Sequence, residues 1–312
     1  MVMNDKITIS LYQLMKRFPN AESAREFLEE KRWNGHISCP HCGCSDIYHR
    51  TNRIGYYRCR KCHKEFTVRT KSIFEHSNIP LDKWIFAIYM ILTARKGMSS
   101  LQMSKELSIT QKSTWFMQHR IRTAMSHGKY ADMLKGIVEV DETYIGGKED
   151  NKHASKKLNA GRGAIGKTPV FGIKQRNGKV VSMVVPDTTK ERLQTIIGSM
   201  VVPGTTVNTD DSKSYNGLNI KGYTHNVVNH SAKQYVDGMA YTNSIESVWS
   251  VLKRGFYGTF HKFSIKHLQR YVDEFVFRLN DGNVKIPTDE RINSVICGCW
   301  GKIMPYKTLK II

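Results

Sequence analysis

Three acids far apart along the chain, Asp141, Asp210 and Glu246, have the setting of a metal-dependent phosphoryl-transfer centre, with Lys253 following on. Asp141 lies in "IVEVDETYIGG" (137–147), where Ile137, Val138 and Val140 favour a strand and Gly146-Gly147 ends it. Glu139, Asp141 and Glu142 intrude on that strand, although ionised carboxylates are costly to bury without partners. Asp210 closes "TVNTD", and Glu246 falls in the first turn of the helix "NSIESVWSVLKRGF". If the first and fourth strands of this region are neighbours and the helix packs over their ends, the three carboxylates converge. Such a cluster repels itself unless cations neutralise it. Two Mg²⁺ or Mn²⁺ ions about 3.5–4 Å apart would do so, and would clamp the attacking and leaving oxygens of an in-line phosphoryl transfer. Lys253, two helical turns after Glu246 on the same face, would point a cation at the phosphate. Each residue also has a plainer reading. Asn243-x-x-Glu246 has the form of a capping box, Asp210-Asp211 could open a turn, and Lys253 could complement a helix C-terminus.

A second constellation is made of thiols. Cys39-x-x-Cys42 and Cys59-x-x-Cys62 are separated by sixteen residues, the spacing of a tetrahedral Zn²⁺ ribbon with four thiolates on one ion. His41, Cys44 and His63 break that pairing, and Cys297-x-Cys299 has no second pair. Arg50, Arg53, Arg58, Arg60, Lys61 and Lys64 surround the module and suit phosphate contact.

Between residues 80 and 127 the apolar periodicity is helical. "PLDKWIFAIYMILTARKG" predicts a helix that starts near Pro80 and stops at Gly97. "SSLQMSKELSITQKSTWFMQHRIRTAM" then predicts a short helix, a tight turn at "SIT" and a second helix, with Ser99 and Thr110 as N-caps. This pattern fits a helix-turn-helix whose second helix enters a DNA major groove. Lys112, Gln118, Arg120 and Arg122 on that helix are the candidate DNA contacts, together with Arg254 beyond Lys253.

The elements that position the acids follow from residue 136 in the order strand, hairpin, helix, strand, strand, long helix, which suits a mixed sheet with helices on its faces. The hairpin turns at Asn177-Gly178. "GRGAIGKT" (161–168) satisfies a phosphate-loop pattern, but a polar stretch precedes it and Pro169 with two strands follows it. The strand-loop-helix context is missing, so 148–168 is read as a basic, Gly-containing loop beside DNA rather than a nucleotide site.

The 312 residues carry a net charge of +21, and 23 Lys/Arg against 11 Asp/Glu fall in residues 1–135 alone. This excess favours a polyanionic partner, most simply nucleic acid. No apolar run approaches a membrane helix and the start lacks a signal segment, so a cytoplasmic, nucleoid-associated protein is expected.

At "CPHCG…YRCRKC", "SSLQMSKELSIT", "VDETYIGGKE", "NTDDSKSY" and "YTNSIESVWSVLKRGFYGTFHKFSIKHLQRYVDEFVFRLN" the chain resembles DDE-class bacterial insertion-sequence transposases, of the zinc-ribbon group related to the eukaryotic Merlin DNA transposons. The resemblance implies an α/β, RNase H-like catalytic domain, a mixed sheet flanked by helices, preceded by a zinc ribbon and a helix-turn-helix domain. Its implied layout is a helical segment over 1–35, the ribbon over 36–72, the helix-turn-helix over 78–130, the catalytic domain over 136–280 and an extension over 281–312. It selects Asp141 over Glu139 and Glu142, and Asp210 over Asp211 through a T-D-x4-Y pattern at Thr209, Asp210 and Tyr215. Glu246 and Lys253 take the remaining family positions. The implied cofactors are structural zinc and catalytic Mg²⁺ or Mn²⁺. The implied substrate is double-stranded DNA, both transposon ends and target, acted on by at least a homodimer. Two other classes fit the same residues less fully: a structure-specific RNase H-like nuclease, and a zinc and helix-turn-helix regulator whose third domain is inert.

Overall fold

A computed structural model describes residues 8–126, 132–147, 153–157, 165–228 and 241–310. Much of the basic loop read over 148–168 lies outside the described residues. The chain divides into two compact units, Met1–His127 with Asp281–Ile312, and Gly128–Asn280.

The first unit opens with α1 (Leu11–Arg17) and α2 (Ala21–Trp33). Ser10 and Gln13 form a reciprocal capping box at the start of α1, and the Asn20 side chain caps α2. An antiparallel sheet of β1 (Ile47–His49), β2 (Tyr57–Cys59) and β3 (Glu65–Phe66) follows. Trp33 at the end of α2 sets its ring edge against Tyr57 and Phe66, so this small sheet has an aromatic core as well as its cysteines. Next come α3 (Leu81–Thr93), α4 (Ser100–Glu106) and α5 (Gln111–Met125). α3 ends four residues before Gly97, which instead takes a left-handed φ of 86° in a turn closed by its N–H on Ala94. Ser99 and Thr110 cap α4 and α5, each accepting a backbone N–H three residues on.

The second unit holds β4 (Ile137–Ile145), β5 (Thr168–Gln175), β6 (Val180–Val184), α6 (Lys190–Met200), β7 (Thr206–Asp210), β8 (Thr224–Val228), α7 (Asn243–Gly255) and α8 (Ile265–Leu279). Its five-stranded sheet runs β6-β5-β4-β7-β8, antiparallel over the first three strands and parallel from β4 through β8. The first and fourth strands are therefore neighbours, as the site requires. Side chains alternate across β4. Val138 and Val140 join Phe171, Leu193, Ile197, Val207 and Tyr215 on the α6 face. On the other face Ile145 and Val170 pack with Ile245, Trp249, Leu252, Leu268 and Phe275. Val180 and Val184 on edge strand β6 bond to the side-chain amides of Asn280 and Gln269, which occupies backbone groups that a foreign strand could otherwise pair.

The last helices, α9 (Thr288–Cys297) and α10 (Tyr306–Lys310), belong to the first unit, with α9 packed on α3 and α5. Among the described residues no helix is long and apolar enough to cross a membrane.

Candidate metal and nucleic-acid site

Pairing of β4 with β7 runs from Ile137–Thr206 to Glu139–Asn208 and stops. Asp141 and Asp210 stand two residues further along each strand, level with one another where the pair has opened. A crevice at the carboxyl ends of neighbouring parallel strands is a common place for ligands in open α/β sheets. Glu246 reaches this crevice from the first turn of α7. The charges of Asp210 and Glu246 both act on Asp141, raising its pKa. The three carboxylates are not gathered within 4.8 Å of one another; among the described residues only the four cysteines are.

The alternation of β4 separates the three acids of the opening strand. Glu139 and Asp141 face α7, and Glu142 faces the α6 side with Tyr215. Glu139 is fully buried, pairs with Arg176 at 3.0 Å and accepts the N–H groups of Ser244 and Ile245 at 2.8 and 3.1 Å. It therefore caps α7 from another strand. The capping box at Asn243-x-x-Glu246 is not what closes the helix: the N-cap is Thr242, which makes no side-chain cap bond. The Glu246 carboxylate accepts a long 3.4 Å bond from the Thr242 hydroxyl. Asp210 does open a turn, accepting the Ser212 N–H at 3.1 Å.

Asp141 accepts the Glu142 N–H at 2.8 Å and the Trp249 indole N–H at 2.9 Å. Burial nevertheless pushes its carboxyl up to about 6, and the neighbouring acids push the same way. Burial likewise lifts Glu142 to about 7, with the Tyr215 hydroxyl and the nearby carboxylates as smaller influences. Hard oxygen donors that repel one another suit Mg²⁺ or Mn²⁺.

Two residues that support Asp141 carried no signal in the sequence. Trp249 comes from α7, and Gly172 is the β5 partner of Asp141 in the sheet. A Cβ on Gly172 would lie 2.5 Å from the Trp249 ring, so only glycine lets the indole rest on the sheet and reach the carboxylate. A helix tryptophan 77 residues after a strand glycine is matched to it only once the register is in hand.

Cys39, Cys42, Cys59 and Cys62 bring their sulfurs within 4.8 Å of one another. Cys39–Cys62 and Cys42–Cys59 are each 3.6 Å apart, close to the roughly 3.8 Å edge of a tetrahedron with zinc–sulfur bonds of about 2.3 Å. The two knuckles repeat each other. Gly43 and His63 donate to the carbonyls of Cys39 and Cys59, while Cys39 and Cys59 donate to the carbonyls of Cys44 and Lys64. Gly43 and His63 both take left-handed φ, 75° and 57°. The thiols share their protons unevenly: the backbone N–H of Cys62 helps hold Cys59 down, while burial pushes Cys39 up. His41, Cys44 and His63 stand outside the cluster.

The expected DNA-reading residues separate sharply. Lys112 is exposed on α5, its ammonium 5.4 Å from the Tyr306 ring, and Arg254 is exposed on α7. Gln118, Arg120 and Arg122, expected on the groove-facing side of α5, are instead buried at 1%, 3% and 1% exposure. Gln118 donates to the Met98 carbonyl, and Arg120 to the carbonyls of Ile73, Glu75 and Met304. The Arg120 guanidinium therefore fastens an irregular backbone stretch and is taken up by the fold. Lys253 is exposed, two turns beyond Glu246.

Comparison with known proteins now places the class. Residues 133–280 match the ISXO2-like transposase domain, and residues 19–65 match the transposase zinc-ribbon domain. The chain thus carries IS1595-family transposase domains, one over the acid-bearing sheet and one over the four cysteines. An uncharacterized protein in transposable element ISH50 of Halobacterium salinarum is 29% identical over 77% of this chain and 84% of its own length. An uncharacterized transposase-like protein of Haemophilus influenzae is 31% identical over 34% of this chain and 85% of its own length.

Proposed function

We propose that this protein is a DDE transposase of an insertion sequence, and that its second unit is an RNase H-like catalytic domain. The observation that carries the reading is that the charges of Asp210 and Glu246 act on Asp141 beyond the point where the β4–β7 pairing stops, within residues that match a transposase domain. These carboxylates would hold Mg²⁺ or Mn²⁺. The chemistry supplied by two such bound ions is activation of the attacking oxygen and neutralisation of charge on the phosphoryl group. Trp249 orients Asp141 and Glu139 anchors the start of α7, so that both carboxylates are aimed before substrate arrives. Lys253 binds the phosphate under attack.

In the first step a water oxygen attacks phosphorus at the element's end, and the bond to the 3′ oxygen breaks to leave a 3′-OH and a 5′-phosphate. In the second, that 3′-OH attacks a target phosphodiester and displaces its 3′ oxygen, with no covalent enzyme intermediate. The zinc ribbon and the α4–α5 helix-turn-helix would grip the terminal inverted repeats, through many Lys/Arg–phosphate contacts whose strength falls steeply with salt. Lys112 and Arg254 are the DNA contacts retained. Two ends need two active sites, hence at least a homodimer on DNA, working in the cytoplasm at the nucleoid. Kinship with the Merlin elements is part of the same proposal.

Asp141→Ala is expected to keep binding to the element's end in a gel-shift assay and to abolish Mg²⁺-dependent nicking. Retained nicking overturns the assignment. A structure-specific nuclease on the same scaffold would cut but never join ends to a target, which a strand-transfer assay reads directly.

A further inference from the structure

The exposed side of α7 continues beyond the acids into surface that neither the metal site nor the helix-turn-helix explains. The helix buries Ile245, Val248, Trp249, Leu252 and the following Phe256. On the flank beside that buried face Glu246, Ser250, Lys253 and Tyr257 are all exposed. Their steps of four, three and four residues set them in one stripe along the helix. A π-helical turn, Phe256–Phe260, prolongs the coil past Gly255 and closes at His261, whose φ is 57°. That closure places His261 and Lys262, both exposed, beside the end of the stripe.

Tyr257 is unusual in being both exposed and fixed. It is 57% exposed. Its ring sits edge-on to Phe256 at 5.0 Å, and Phe256, itself buried, packs on Phe263 at 5.0 Å. Phe263 in turn stacks on Tyr271 at 4.1 Å. An aromatic cluster therefore holds Tyr257 from beneath while a large part of the side chain meets solvent. Among the described residues neither Lys253 nor Arg254 forms an ion pair, so the cations beside it carry unspent positive charge.

We propose that this stripe is a track for a single-stranded DNA segment next to the scissile phosphate, with Tyr257 as the platform on which an unpaired base stacks. The inference rests on the transposase reading and adds the form of DNA its site takes. The eleven residue steps from Glu246 to Tyr257 span about 16 Å, the length of four to five nucleotides at the ~3.4 Å spacing per strand of stacked DNA. Lys253 and Arg254 match its phosphates and Ser250 offers a hydroxyl donor. A duplex presents phosphates and groove edges, for which lysine and arginine suffice. A fixed aromatic face set among cations matches a base that has left its stack, as in proteins that track single strands.

The test uses the full-length, zinc-loaded protein and one duplex of the element's end, with and without a short single-stranded extension at the cleavage position. The extension carries 2-aminopurine as its first unpaired base. Wild type is expected to bind the extended duplex more tightly than the blunt one and to quench the 2-aminopurine. Tyr257→Ala should lose that preference by roughly five- to 150-fold, the usual range for removing one stacking residue, and lose the quenching. It should keep wild-type affinity for the blunt duplex and an unchanged thermal midpoint, and Tyr257→Trp should restore preference and quenching together. A Tyr257→Ala protein with the wild-type preference, or a wild type with none, overturns the proposal. Failure of the transposase reading shows separately, on the blunt duplex, as Mg²⁺-dependent cleavage that is absent from wild type or survives Asp141→Ala.

Discussion

Glu139 and Asp141 are two residues apart on one strand, face the same helix and are both carboxylates, yet their replacement should move stability in opposite directions. Glu139 is fully buried against Arg176, whose side chain is 10% exposed, and caps α7 with its second oxygen. Glu139→Gln keeps the shape, removes the charge opposite a buried guanidinium and turns one acceptor into a donor. Breaking a buried pair in this way costs about 3 kcal/mol or more. Asp141 is held against its own preference. The rise from its ordinary 3.8 to about 6 corresponds to roughly 3 kcal/mol lost at pH 8 without a divalent cation. Asp141→Asn recovers that but forfeits the Trp249 hydrogen bond, about 1–1.5 kcal/mol, leaving a net gain of about 1–2 kcal/mol. The assay is urea titration of the full-length protein at pH 8 without added magnesium, read by hydrogen exchange in peptides covering β4 and α7. Shifts of the same sign for the two variants would refute the division of one acid to structure and the other to chemistry.

Three further outcomes follow from the same geometry. The folded chain binds more protons than the unfolded one between the ordinary carboxylate range and pH 6–7, so metal-free stability should fall as pH rises through that window, and the Mg²⁺-induced rise in melting temperature should be small at pH 5 and full above pH 7; a flat profile speaks against Asp141 and Glu142. Arg120→Gln should destabilise the first unit by about 2–4 kcal/mol by orphaning three carbonyls, whereas Lys112→Ala should leave stability within about 0.5 kcal/mol and lower the salt slope of DNA binding by about 1; the reverse pattern in thermal melts and salt titrations would return Arg120 to the DNA face. One zinc per chain should appear by elemental analysis and be lost in Cys59→Ser, with unfolding of the ribbon, because zinc supplies on the order of 10–16 kcal/mol in small modules; a Cys59→Ser protein that stays folded in this region would count against a structural role.

The cysteine spacing, the caps of α4 and α5 and the hairpin at Asn177-Gly178 were legible, because each is written in local chemistry, whereas the adjacency of β4 and β7 entered the sequence reading only as a condition. The fate of the arginines was not. Arg120 and Arg122 sit among polar neighbours on a helix whose charge pattern reads as a solvated face, and only tertiary contact with a distant backbone shows that Arg120 collects carbonyls. Glu139 was opaque for the same reason. Its partners, Arg176 and the first turn of α7, lie 37 and about 105 residues away, so nothing nearby separates its role from that of Asp141. Trp249 and Gly172 are a matched pair only through strand register, which a single sequence does not print.

The second unit is threaded into the first: residues from Asp281 onward return to complete the fold that α1 to α5 began. During synthesis at roughly 5–20 residues per second, the sheet that carries the acids is finished while the opening helices still wait for α9 to cover α3 and α5. A chain broken off before α9 would keep every strand of the acid-bearing sheet and lack the helix that covers α3 and α5.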